Sequence, residues 1–431
     1  MTSMKVVVLS FDRLSLDFLG CYGNEWIETP GFDALAASAC VFDRHFAESL
    51  GSGLPTHAWW DGRYHDRSEG PAHAASARVF EHLTAANVCC QMIAESGTQP
   101  PYVTLPAEVA VETVSGRDGL DAAPDETPFA RLIDRAGERL RKLRAEPDVS
   151  WLLWLKSAGA PLPWIAPLDY AALYLDEFEA APRGDGSAFS AAPLDPELTA
   201  LVASLLASDD ASDDLETPLA VDDLSSNECR RLAQLAYAGY VTLLDRSIGR
   251  LMDELDDVGG SQEIVLIVTA AEGDALAAPA SEHGRAGHCE QRAHTPLLVR
   301  LPSPEHVGRC NDLTQSVDVA PTLYELFSLA PETTDCNGRS LTASIRRSPD
   351  APRDHVCVVD SAARRMIRTD ECLLVEETVP LQENSPQEPQ RWLFAKPEDV
   401  WNLNNLAPQM PEIVENLGAT LARTLDPPRS A

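Results

Sequence analysis

The stretch KVVVLSFD, residues 5–12, is an unbroken apolar, β-branched run closed by a carboxylate. A run of this length without polar alternation is the pattern of a strand covered on both faces. Residues 5–11 therefore predict a buried parallel strand with Asp12 at its C-terminal end. Three later runs share this character: 149–156 (VSWLLWLK), 263–269 (EIVLIVT) and 295–301 (TPLLVRL). Between them the spacing turns helical. Leu232, Leu235, Ala236, Leu243, Leu244, Ile248, Leu251 and Leu255 fall mostly three or four apart, which predicts a helix over 228–257, stopped by Gly259 and Gly260. Shorter helices are expected over 31–39 behind Pro30, from Pro55 to about Trp60, over 127–145 with Leu132, Leu140 and Leu143, and from Asp318 to Leu329. Residues 40–46 read as a strand, and 76–93 as a helix followed by a strand. Strands alternating with helices predict an α/β fold around a mostly parallel sheet.

Two stretches interrupt the alternation. Residues 97–126 are rich in Pro, Gly and Asp and read as loop; 170–226 is an acidic excursion whose aspartates at 209, 210, 213, 214, 222 and 223 read as a solvated face. After about residue 345 the pattern changes to short runs at 355–360, 364–369, 371–376 and 391–395, then a helix over 410–424. The expectation is a main α/β domain, 1–345, and a small C-terminal α+β subdomain, 346–431, with an antiparallel sheet and one packed helix.

Composition narrows the function. Thirty-four basic against 67 acidic residues give a net charge of −33, which repels nucleic acid and anionic membrane. No apolar run approaches the roughly 20 residues of a membrane helix. The opening MTSMKVVVLSF enters a strand directly, without the features of a secretory signal. Ten scattered cysteines include no Cys-x-x-Cys pair and read as buried thiols. Together these predict a cytoplasmic protein.

Four segments, in order, carry a family likeness. They are LSFDRLSLDFLGCYGNEWIETPGFDALAASACVFDRHFAES (9–49), GSGLPTHAWWDGRY (51–64), YAGYVTLLDRSIGRLMDEL (237–255) with IVLIVTAAEGD (264–274), and HTPLLVRLPS (294–303) with QSVDVAPTLYELF (315–327) and NGRSL (337–341). This set resembles the sulfatases, and RWLFAKPEDVWNLNNLA (391–407) resembles the closing hairpin and helix of some bacterial members. The resemblance implies an alkaline-phosphatase-like fold: a central sheet between helix layers, plus a smaller C-terminal sheet.

It also implies a chemistry that this chain lacks in part. A sulfatase makes its formylglycine nucleophile from the Cys of Cys-x-Pro-x-Arg; here the Cys position is Gly53, the Pro is Pro55 and the Arg position is His57. Ser52 is the nearest surviving hydroxyl, one place early. The family's divalent cation, usually calcium, takes several carboxylate oxygens. Asp12 matches the first ligand, but Arg13 stands where a second Asp often is. The later Asp–Asn pair is replaced by Ala271 and Glu272, with Asp274 two residues on. A Pro-His-x-Pro histidine is replaced by Pro161. Lys156 and His288 are the basic residues left to face a substrate, and Asp12, Glu272 and Asp274 the candidate ligands for Ca2+ or Mg2+. His283, His288 and His294 read as loop residues, since no helical i, i+4 pair relates them.

The expectation is a sulfatase-like pseudoenzyme that binds an anionic small molecule or a protein partner. The free N–H groups of the helix opened by Pro55 would point at the sulfate position, with room left by Gly53. The alternative is a metal-dependent sulfate or phosphate ester hydrolase using Ser52 or a metal-bound water. A third reading is an oligomer partner for an active sulfatase.

Overall fold

The computed structural model describes residues 3–51, 55–64, 77–98, 103–161, 164–174, 226–260, 263–276, 289–303, 306–329, 336–347, 353–360, 363–378 and 389–425, with the backbone alone at 55–57 and 226–230. Residues 175–225, most of the acidic excursion, lie outside them.

The apolar runs become the strands of one sheet. In chain order these are β1 (Lys5–Arg13), β2 (Cys40–Phe46), β3 (Cys89–Glu95), β4 (Ala110–Val114), β5 (Trp151–Gly159), β6 (Ile264–Glu272), β7 (Leu297–Arg300) and β8 (Gly308–Gln315). Their spatial order is β4-β3-β5-β1-β6-β7-β2-β8. β1 lies parallel between β5 and β6, and β7 runs antiparallel to both its neighbours. The fold is α/β with a mostly parallel sheet, as expected.

Strand alternation divides the core into two layers. Val7, Leu9 and Phe11 of β1 face the Pro30–Ala36, Pro128–Arg144 and Ser226–Asp257 helices. Val6 and Val8 face the other way, toward Trp59, Trp60, Phe80 and Leu323. All eight apolar positions named for the long helix are buried. In the second layer Trp154 of β5 is fully buried and meets Trp60 edge-on at 6.0 Å and Phe80 at 5.8 Å, while its indole N–H donates to Ser10 Oγ at 2.9 Å. These contacts anchor the Pro55–Asp61 helix to the sheet.

The C-terminal strands β9 (His355–Val359), β10 (Arg364–Thr369), β11 (Cys372–Glu377) and β12 (Gln390–Ala395) form a separate antiparallel sheet, ordered β12-β11-β10-β9. The Pro411–Leu425 helix covers one face through Val414 and Leu421. The other face packs Val356, Val358 and Phe394 against Phe46, Leu50 and Cys289 of the large sheet's surroundings. Leu50 N–H donates to Val359 O at 2.9 Å, so the segment entering the Gly53 region is tied to the C-terminal sheet.

Two strands went unread in the sequence. β4 lies in the stretch expected to be loop; only Val114 of its five residues is buried, so no apolar run marks it. β8, GRCNDLTQ, pairs with β2 alone at the other edge; four of its eight residues are buried, but Thr314 and Gln315 among them are polar, so no continuous apolar run marks it. Among the described residues no helix is long and apolar enough to cross a membrane.

Candidate active site

The parallel strands place their C-terminal ends on one edge of the sheet, where open α/β sheets bind ligands. β1 delivers Asp12 and Arg13, β5 delivers Lys156 to Gly159, β6 delivers Glu272, and β3 delivers Glu95. Arg13 stands in register with Gly159 on one side and Glu272 on the other. Gly159 has φ +73°, and a side chain there would meet Arg13 O at 2.0 Å, so the close approach of β5 to β1 at this edge requires glycine.

The charged groups form one connected chain. Arg13 donates from Nη2 to Glu272 Oε1 and from Nη1 to Asp274 Oδ1, both at 3.1 Å. The second oxygen of Glu272 accepts from Arg292 Nη2 and from the Gly51 backbone N–H, both at 3.0 Å. Arg292 continues to Asp360 at 3.0 Å, Asp360 to Arg364 at 2.5 Å, and Arg364 to Glu377 at 2.6 Å. Beside this chain, Lys156, fully buried, is ion-paired to Asp12. Burial opposes the charge of Arg292, but Glu272 and Asp360 outweigh it and its pKa rises. Burial also raises the pKa of Asp274, with Arg13 pulling the other way. Among the described residues its Oδ2 has no hydrogen bond, so this oxygen is suited to carry a proton.

The residues singled out in the sequence thus fare differently. Asp12, Lys156, Glu272 and Asp274 come together at the strand ends. Ser52, Gly53 and His288 lie outside the described residues, as does the His57 side chain. His294 is half-buried, stacked on Phe46 at 4.8 Å and bonded to Asp43 O. Arg292, Asp360 and Glu95 were missed. Arg292 and Asp360 reach the site only through tertiary packing, and nothing in their neighbourhoods announces it. Glu95 closes the run CCQMIAE much as Asp12 closes KVVVLSF, and that parallel was available.

A divalent cation does not fit this arrangement. Hard cations take about six to eight oxygens. Here Asp12 is engaged by Lys156, both oxygens of Glu272 by guanidinia and a backbone N–H, and one oxygen of Asp274 by Arg13. Lys156, Arg13 and Arg292 thus already hold the positive charge beside Asp12, Glu272 and Asp274. Among the described residues no group of three or more His, Cys, Asp or Glu side chains is placed to hold a metal.

Glu95 is the site's titrating group. Burial raises its pKa from 4.5 to about 7, against hydrogen bonds from Ser157 Oγ at 2.6 Å and Ala158 N at 3.0 Å. The folded chain therefore keeps a proton that the unfolded chain has already released between about pH 4.5 and 7. Stability falls across that interval and is flat above it. The shift corresponds to roughly 3 kcal/mol. Glu95→Gln, neutral throughout, is expected to remove this component. Denaturant midpoints from pH 5 to 8 should decline more steeply in the wild type than in the variant; parallel profiles would refute the assignment.

Comparison with known proteins gives the family. The sulfatase family model matches residues 114–329, half of the chain. The chain belongs to the sulfatase family. A curated relative is the multifunctional alkaline phosphatase superfamily protein PehA of Trinickia caryophylli, 29% identical over 124 residues. That alignment covers 27% of this chain and only 23% of the relative's length. Solved sulfatase-like structures match end to end. The phosphonate monoester hydrolase of Agrobacterium radiobacter superposes with a TM-score of 0.68 at 18% identity, over 98% of this chain and 97% of its own. BT4656, solved in complex with its substrate D-glucosamine-2-N,6-O-disulfate, superposes with a TM-score of 0.72 at 16% identity, over 98% and 97%. At these identities the two structures establish the alkaline-phosphatase-like fold for this sulfatase-family chain.

Proposed function

We propose that this sulfatase-family protein does not hydrolyse esters and acts by binding an anionic small molecule or a protein partner. The observation that carries the reading is the Arg13 guanidinium held between Glu272 and Asp274, where the family resemblance calls for a carboxylate and a cation. With Gly53 at the nucleophile position, two parts of the hydrolytic unit are replaced together. Residues of such a unit do not act additively, so one surviving carboxylate does not restore rate. In this reading Lys156 neutralises Asp12 and holds the strand ends together. The nine described cysteines form no disulfide with one another, which supports a reducing compartment such as the cytoplasm.

The test joins metal analysis to turnover. Purified protein is analysed for metals, titrated with calcium, magnesium and manganese, and assayed on aryl sulfate, phosphate and phosphonate esters. The expected result is no stoichiometric cation and no metal-dependent turnover. Turnover lost in both Asp12→Ala and Ser52→Ala would establish the hydrolase alternative instead.

A further inference from the structure

Arg300 is the last residue of β7 and pairs with Leu266, six residues upstream of Glu272 in β6. At about 3.3 Å per residue this is roughly 20 Å from the charged strand ends. Its side chain follows Leu298 onto the layer of the Pro30–Ala36 and Ser226–Asp257 helices, and there it lines a cavity of about 730 Å3. Arg300 is 3% exposed. Its Nε and Nη2 have no hydrogen-bond partner, and Nη1 meets only the Met252 sulfur, at 3.8 Å, among the described residues. A thioether is a weak acceptor, and a buried cation without a matching anion costs several kcal/mol. Burial pulls the pKa of Arg300 down, with Asp256 opposing it, yet a guanidinium stays charged.

The unpartnered nitrogens define the missing group. Nε–H and Nη2–H are the parallel donors of one guanidinium edge, the fork that a carboxylate matches with two bonds. The walls are apolar, from Ala34, Leu301 and Val307, while the rim carries exposed Asp253 and Asp256, three apart on the long helix. Asp245 is also on the wall but is spent on the Gly31 and Phe32 N–H groups at 2.9 and 2.8 Å. A dianionic phosphate meets this acidic rim unfavourably; a molecule with a carboxylate, an ammonium beside it and an apolar side chain fits all three surfaces. We infer that the cavity between the Pro30–Ala36 and Ser226–Asp257 helices binds a small amino-carboxylate, its carboxylate on Arg300 and its ammonium at Asp253 and Asp256. Neither Nε nor Nη2 is open to solvent, so admitting the ligand requires a side chain to move, and Met252, half-buried, unbranched and set against Nη1, is suited to do so.

The test titrates the full chain by calorimetry with leucine, methionine and phenylalanine, and with acetate and inorganic phosphate as controls. At least one amino acid is expected to bind at millimolar concentration or below. Affinity should fall roughly tenfold or more in Arg300→Met, fall in the surface variant Asp256→Asn, and rise in Met252→Ala. If Arg300→Met does not fold, Asp256→Asn and Met252→Ala carry the test. The inference is overturned if no amino acid binds the wild type or Met252→Ala at about 10 mM. It is also overturned if phosphate binds as well as the amino acids, or if the variants leave affinity unchanged.

Discussion

Arg13→Asp is expected to make the fold depend on a divalent cation. Among the described residues, Arg13 is the only side chain bonded to the Asp274 carboxylate and one of two guanidinia on Glu272. Removing it strands a buried carboxylate, and placing an Asp there adds another. Breaking a fully buried pair costs about 3–5 kcal/mol; with Arg13 32% exposed, the loss here is expected below that range. The same change makes the cluster more negative by two charges, which a divalent ion matches. Calcium at a hundred times its dissociation constant would return about 2.7 kcal/mol. Urea unfolding with calcium and with chelator should separate the two proteins: the variant regains stability with calcium while the wild type stays unmoved. Equal calcium response in both would show that the wild type already holds a cation site, and the reading of Arg13 would fall.

Trp154→Ala is expected to cost about 3–5 kcal/mol, a large part of the 5–15 kcal/mol typical of a native fold. Trp154 is fully buried where β5 meets the Pro55–Asp61 helix, and truncation removes its contacts with Trp59, Trp60 and Phe80 together with its bond to Ser10. Because those contacts seat the helix, the variant should also be cleaved more readily by protease near residues 51–64. Trp154→Phe, which keeps the ring contact but not the indole donor, should lose less. A loss under about 1 kcal/mol for the alanine variant would mean that the layer relaxes around the gap.

What could be read ahead of the structure followed burial. β1, β5 and β6 are covered on both faces, so burial wrote itself into KVVVLSF, WLLWLK and IVLIVT as continuous apolar runs. The edge strands β4 and β8 have one neighbour each; β4 buries one residue, and half of what β8 buries is polar, so neither leaves such a mark. The site divides the same way. Asp12, Lys156, Glu272 and Asp274 stand at or just beyond the ends of strands that were themselves legible. The opposite charges at Arg13 and Glu272 were visible, but their pairing is a matter of register between strands some 250 residues apart in sequence. Arg292 and Asp360 depend on how the C-terminal sheet docks, which no local pattern encodes.

The run of paired charges from Asp274 to Glu377 also works as a ratchet on the sequence. A route to the family's hydrolytic set has to change Arg13, Gly53, His57 and Ala271. Its first step at Arg13 loosens a clasp that joins the large sheet to the C-terminal one through Arg292 and Asp360. On the proposed reading the arrangement is self-entrenching: a change at Arg13 toward the family's ligand set first weakens the tie between the two sheets.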